Sequence, residues 1–244
     1  MCFSANASFA LSALLVPAGA YCLKSAIRKN KALLGLAIIP FIFGIQQICE
    51  GFVWQALDQN NVNLARDRAY FFLFFALAFW PFWIPFCAFL TEHRIRRKWL
   101  LAFFSVLGFV AGLMLYLPLV VNPEFLTVTI RNHYIFYDIA ESSVFLVVPI
   151  IWWQVLYIVI VGMPLLIAPS KGFVIFGIIL LAAAAVSQVW YWYAFTSVWC
   201  FFAALLSLYL CYSFWQLPFS VDHQGHDTSD PVTTHALSEE PLVP

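Results

Sequence analysis

The chain has 244 residues, of which 64% are hydrophobic and only 10% charged, with a mean hydropathy of +0.89. A water-soluble domain needs roughly a quarter of its residues charged to solvate its surface, so the solvent for most of this chain must be lipid. Twelve basic residues balance twelve acidic ones, and a chain without basic excess offers no face for nucleic acid.

The first apolar run extends from Phe3 to about Leu23 and is followed by Lys24, Arg28, Lys29 and Lys31. A signal peptide carries its basic cluster ahead of the apolar run; here the order is reversed, which fits a first spanning helix with its N-terminus outside. Further spans are predicted from about Ala32 to Trp54, Ala69 to Leu90 and Trp99 to Val121, then from about Ser143 to Ala168, Phe173 to Trp190 and Phe195 to Trp215. Each is close to the ~20 residues that cross a ~30 Å hydrocarbon core at ~1.5 Å per residue. Helices suit the bilayer because each satisfies its own backbone hydrogen bonds. Pro81 and Pro85 should bend the third helix.

Between spans four and five, Leu126–Ile130 and His133–Tyr137 flank the polar pair Arg131-Asn132, which reads as a short β-hairpin. The fold class is therefore all-α integral membrane: a seven-helix transmembrane bundle over residues 1–217 with one extracytoplasmic hairpin. Residues 218–244 hold five acids and no Lys or Arg, the composition of a disordered acidic tail.

Loop charges set the orientation. One side receives Lys24, Arg28, Lys29, Lys31, Arg94, Arg96, Arg97, Lys98 and Lys171; the other receives only Arg66, Arg68 and Arg131. The positive-inside rule puts the first set in the cytoplasm, with the N-terminus out, the C-terminus in, and the inner (plasma) membrane as the location. On this arrangement Cys2, Cys49 and Cys200 lie at the outer level, and Cys22 and Cys87 at the inner one. The cysteines form no C-x-x-C pair, which excludes a zinc ribbon or thioredoxin-like motif.

Polar intramembrane residues concentrate at the outer level. Gln46, Glu50 and Trp54 are spaced by four and Gln47 adjoins them, so all share one helical face. Asn6 near the start of helix one, Asp138 and Glu141 leading into helix five, Gln188 near the end of helix six, and Ser197 and Cys200 in helix seven fall at the same depth. A carboxylate in a spanning segment costs roughly 2.5 kcal/mol or more on insertion scales, so Glu50 should face protein or a watery cavity. The pattern predicts an outward-opening polar pocket lidded by the hairpin. Gln46, Gln47 and Glu50 would supply recognition, Trp54 a wall, and Asp138 and Glu141 the rim. The bland alternative is an interhelical clamp, since Gln side chains also join spanning helices.

The opening Met1-Cys-Phe-Ser-Ala5 and the stretch Gly44-Ile-Gln-Gln-Ile-Cys-Glu-Gly-Phe-Val-Trp54 resemble an uncharacterised bacterial membrane family. Its members open with Met-Cys-Phe-Ser-Ala and carry Gly-Ile-Gln-Gln-x-x-Glu-Gly-x-x-Trp on helix two. The resemblance covers roughly Met1 to Trp215 and implies a fold, without a mechanism or a cofactor.

Three functions follow as expectations. The first is binding or sensing of a small polar ligand from the extracytoplasmic side. The second is an intramembrane enzyme or metal-dependent hydrolase using Glu50, His133 and Cys2, the last as an N-terminal nucleophile, a metal ligand or a disulfide partner of Cys49 or Cys200. The third is a small-molecule transporter, for which the apolar inner half advertises no pathway. Membrane hydrolases of the alkaline ceramidase type need several intramembrane His, and outside the tail this chain has only His93 and His133, on opposite sides.

Overall fold

The computed structural model describes residues 4–131, 133–139, 147–168, 171–191 and 194–216. Cys2, Glu141 and the tail segment lie outside the described residues. Seven helices are long and apolar enough to cross a membrane: α1 (Ala5–Lys29), α2 (Lys31–Asp58), α3 (Val62–Thr91), α4 (Ile95–Val121), α5 (Ile150–Ile167), α6 (Gly172–Trp190) and α7 (Phe195–Gln216). The chain is a multi-pass membrane protein.

Several helices outrun their apolar cores. α3 begins at Val62, seven residues ahead of the expected Ala69, because Asn61 caps it by accepting the Leu64 N–H at 3.1 Å. Its first turns carry Arg66, Asp67 and Arg68 in helical form. A side-chain cap stabilises a polar first turn that hydropathy alone cannot see. α1 likewise runs past Leu23 to Lys29, whose amine donates to the Phe214 and Trp215 carbonyls at 3.4 and 3.2 Å, while Ser25 Oγ donates to Phe214. The C-terminal carbonyls of α7, which have no intrahelical donor, are thus satisfied by α1. The described part of α5 starts at Ile150 behind Pro149.

Glycines let the helices approach backbone to backbone, the usual device where lipid removes the hydrophobic drive for association. A Cβ on Gly19 of α1 would overlap the backbone of Phe41 in α2, and one on Gly51 would meet the Phe9 ring at 2.6 Å. Gly108 and Gly112 of α4 form a G-x-x-x-G pair against α3: a Cβ on the first would overlap the Pro81 carbonyl, and one on the second would lie 2.9 Å from Ala78 Cα.

The proline effect in α3 takes a specific form. Phe74–Phe79 is a π-helical stretch, and the Trp80 N–H bonds the Phe75 carbonyl instead of that of Ala76. Pro81 has no N–H, and its ring crowds the carbonyl four residues earlier. The widened turn relieves that crowding. The Ala76 carbonyl, left without its usual donor, accepts the Tyr157 hydroxyl from α5 at 2.6 Å.

The hairpin is β1 (Thr127–Arg131) paired antiparallel with β2 (Tyr134–Asp138), in the register Arg131↔Tyr134 to Thr127↔Asp138. Each strand therefore begins one residue later than expected, and His133 falls in the turn between them. His133 sits there with φ of 66°, a left-handed conformation that His adopts more readily than branched residues. The register puts Val128, Ile135 and Tyr137 on the bundle side, where all three are buried. Tyr137 stacks on Phe72 of α3 at 5.1 Å between centroids, and β2 also meets the start of α7. The hairpin covers the end of the bundle at which α1 begins and α2 ends.

At the opposite end the α3–α4 turn is organised by Glu92, whose Oε1 accepts the Arg94 and His93 backbone N–H groups at 2.8 and 2.9 Å. Those bonds, Arg94 first, hold its carboxyl below the ordinary value, helped by the charges of Arg97 and Arg94. A depressed carboxylate stabilises the fold above its unfolded pKa of about 4.3, and that contribution is lost as pH falls through the lower native value. Glu92→Gln should therefore flatten the dependence of the unfolding midpoint on pH between about pH 6 and about pH 3. An unchanged pH profile would show that Glu92 is not the titrating group.

Candidate functional site

Glu50 is 1% exposed, and Gln46 and Gln47 are fully buried, on the face of α2 that turns into the bundle. One Glu50 oxygen accepts the Ser197 hydroxyl of α7 at 2.5 Å, and the other accepts Gln47 Nε2 at 3.2 Å. Gln46 Oε1 accepts the Trp80 indole N–H of α3 at 2.7 Å; its Nε2 lies beside the Cys200 thiol, short of hydrogen-bond geometry. Three helices are thus tied together at one level through two adjacent turns of α2.

The hairpin supplies a fourth element. Tyr137 stands within electrostatic reach of Glu50, Cys49 and Cys200. Burial first, and the Glu50 charge second, push its phenol well above the ordinary range, so the hydroxyl keeps its proton. That hydroxyl, Gln46 Nε2 and Gln47 Oε1 are all buried without a hydrogen-bond partner among the described residues. Buried polar atoms in native proteins are nearly always paired, and each one left over calls for an explanation.

The other predicted residues divide. Trp54 is buried one turn beyond Glu50, in the apolar cluster that contains Phe72 and Tyr137. Asp138 is half-buried and pairs across the hairpin with Thr127. Gln188 is half-buried, and its Oε1 has no donor among the described residues. Asn6 is exposed on the first turn of α1, away from the buried face. His133 is exposed at the hairpin tip, four strand residues or about 13 Å from Tyr137 at ~3.3 Å per residue. The geometry does not bring it to Glu50. Among the described residues no three His, Cys, Asp or Glu converge on a point that could hold a metal.

Cys49 and Cys200 lie near Tyr137 at the hairpin end, whereas Cys22 meets Cys211 and Cys87 packs against Gly35. All five described cysteines are free thiols.

Ser197, Trp80 and Tyr137 complete the cluster. The level of Ser197 was readable from helix direction, and the inward position of Tyr137 from strand alternation. Trp80 is 34 residues from Gln46, and nothing local marks it as a partner. Glu50, Gln46 and Gln47 form a packed cluster with Ser197, Trp80 and Tyr137. A neighbouring cavity begins at Cys200 and is lined by Gln154, Tyr157 and Trp199, with neither Glu50 nor Gln46 in its wall.

No curated protein and no solved structure gave a significant match to the chain. A family model described as a family of unknown function, DUF6629, matches residues 1–220, and the chain belongs to that family.

Proposed function

We propose that this membrane protein binds a small polar ligand from the extracytoplasmic side, with Glu50 as the central recognition group. One observation carries the reading. Among the described residues, a carboxylate at 1% exposure has no basic partner, and a buried donor on Gln46, a buried acceptor on Gln47 and the buried Tyr137 hydroxyl in the same cluster have no hydrogen-bond partner. A helix clamp alone would need only the two bonds that Glu50 already accepts. The surplus of unpaired groups, of both hydrogen-bonding senses, is what a ligand with donors and an acceptor would satisfy. Entry would require the hairpin to lift from α3 and α7.

The orientation that goes with this reading is N-terminus out and C-terminus in, in the inner membrane. It is supported by the loop charges: Arg66, Arg68 and Arg131 belong to the hairpin end, and the other nine Lys and Arg to the opposite end. Reporter fusions at Asp58 and Glu124 should give an extracytoplasmic signal, and those at Glu92, Lys171 and the C-terminus a cytoplasmic one. An extracytoplasmic signal at the C-terminus would overturn the topology.

The functional test is Glu50→Gln. It keeps the volume and an acceptor for Ser197, so expression and folding should match the parent. Restoration of the phenotype of a strain lacking the gene should be lost. Full restoration by Glu50→Gln would reduce the site to a clamp.

A further inference from the structure

At the end of the bundle opposite the hairpin, the last turns of α1 and of α7 form a cleft of about 390 Å³, within the ~300–1,000 Å³ usual for ligand sites. Its wall is Tyr21, Lys24, Ser25, Arg28 and Lys29 from α1 and Trp215 from α7. Two of these side chains build the cleft. Ser25 donates to the Phe214 carbonyl, and Lys29 to the Phe214 and Trp215 carbonyls, which holds the end of α7 against α1.

Lys24 and Arg28 have no such task. Both are exposed, and neither makes a hydrogen bond or ion pair among the described residues. They stand four apart on one face of α1, with Cβ atoms ~5–6 Å from each other, close enough for both heads to meet one small anion. Among the described residues no carboxylate is placed to answer them. Glu50, Asp58, Asp67, Glu124 and Asp138 belong to the hairpin end, and Glu92 is committed to the Arg94 and His93 backbone N–H groups. The rest of the wall is aromatic. Tyr21, one turn deeper in α1 than Lys24, is 46% exposed, and Trp215 is 65% exposed. Tyr and Trp collect at the level of lipid headgroups. Two unpaired cations beside two such rings match a molecule with an anionic head and apolar chains. A soluble anion would engage the cations and leave the rings unused.

We propose that this cleft binds an anionic phospholipid, with its phosphodiester on Lys24 and Arg28 and the start of its acyl chains against Tyr21 and Trp215. The guanidinium can meet two phosphate oxygens at once, and the ammonium acts as a point charge. The cleft lies at the opposite end of the bundle from Glu50, so the proposal is independent of the Glu50 reading.

The test uses the purified full-length protein in neutral detergent, titrated with dioleoylphosphatidylglycerol or dioleoylphosphatidylcholine. Phosphatidylglycerol should raise the midpoint of thermal unfolding saturably, because a ligand that binds only the folded state stabilises it by mass action. Phosphatidylcholine, with the same chains and no net charge, should not. Lys24→Gln and Arg28→Gln should each weaken the affinity read from that saturation about fivefold, with the lipid-free midpoint close to that of the parent. Arg96→Gln removes an exposed cation at the same end of the bundle but outside the cleft, and should bind like the parent. An equal loss in Arg96→Gln would reduce the effect to general surface charge and overturn the site. No saturable shift with phosphatidylglycerol, an equal shift with phosphatidylcholine, or parental affinity in Lys24→Gln would overturn it as well. Glycerol 3-phosphate at the same concentration should give no shift; a shift equal to that of the lipid would assign the cleft to a soluble anion. The remaining rival is the acidic tail. If changing Asp222, Asp227, Asp230, Glu239 and Glu240 together to their amides raises the affinity for phosphatidylglycerol, the tail is the occupant and the proposal fails.

Discussion

Gly108→Ala is expected to abolish the folded protein or to lower its stability by about 3 kcal/mol or more, the top of the range for overpacking. The added methyl would overlap the Pro81 carbonyl, and Ile160 closes the site from α5 at 3.1 Å. A flexible side chain could turn away. A backbone carbonyl beside a proline cannot, because Pro81 follows the π-helical stretch and its neighbours are already committed to Tyr157 and Phe75. The α3–α4 contact must open, and with it the wall that positions Trp80 against Gln46. A stability of 5–15 kcal/mol leaves little margin for such a loss. Val106→Ala, two residues away on the lipid face at 64% exposure, should change stability by less than ~0.5 kcal/mol. Unfolding of both variants in mixed micelles measures the difference; equal stability would mean that α4 does not pack on Pro81.

Glu50→Leu should separate two quantities that usually move together. On insertion scales the spanning segment gains about 3 kcal/mol, because an intramembrane acid is replaced by a favourable residue. Packing moves the other way. With the acid present, separated helices leave a carboxylate facing lipid, and association relieves it through Ser197 and Gln47. Leu removes that drive and leaves Gln47 Nε2 buried without an acceptor, whereas Ser197 can turn back to its own helix. Interhelical hydrogen bonds in membranes average under 1 kcal/mol because separated helices also find partners, and a buried unpaired donor costs ~1–3 kcal/mol. The expected result is easier membrane insertion of α2 together with a fold weakened by roughly 1–3 kcal/mol. An insertion assay on the isolated segment and unfolding of the whole protein read the two halves. A stabilised fold would show that Glu50 contributes nothing to helix association.

The spans were legible because hydropathy is summed over some twenty residues, and errors at single positions cancel. Their ends were not. Asn61 and the charged turn of α3 look like loop in composition, yet an N-cap hydrogen bond makes them helix. The hairpin was also legible from its two β-rich runs, but each strand begins one residue later. Burial of Val128, Ile135 and Tyr137 together fixes the register, and a polar pair in the sequence says less than three side chains that must point inward.

The sequence by itself determined the solvent, the number of helices and the depth at which polar groups collect, since each follows from the cost of placing charge or free backbone in hydrocarbon. It also placed Gln46, Gln47 and Glu50 on one inward face, because helical periodicity is local. Only the tertiary structure decided what they touch. Ser197 is 147 residues from Glu50 and Trp80 is 34 from Gln46, and no periodicity reaches across such distances. The same holds for the cavity beside Cys200, whose walls come from α3, α4, α5 and α7 and from Ile139 after the hairpin. Helix-to-helix register is set by side-chain fit between segments distant in the chain, and that fit exists only once the bundle has assembled.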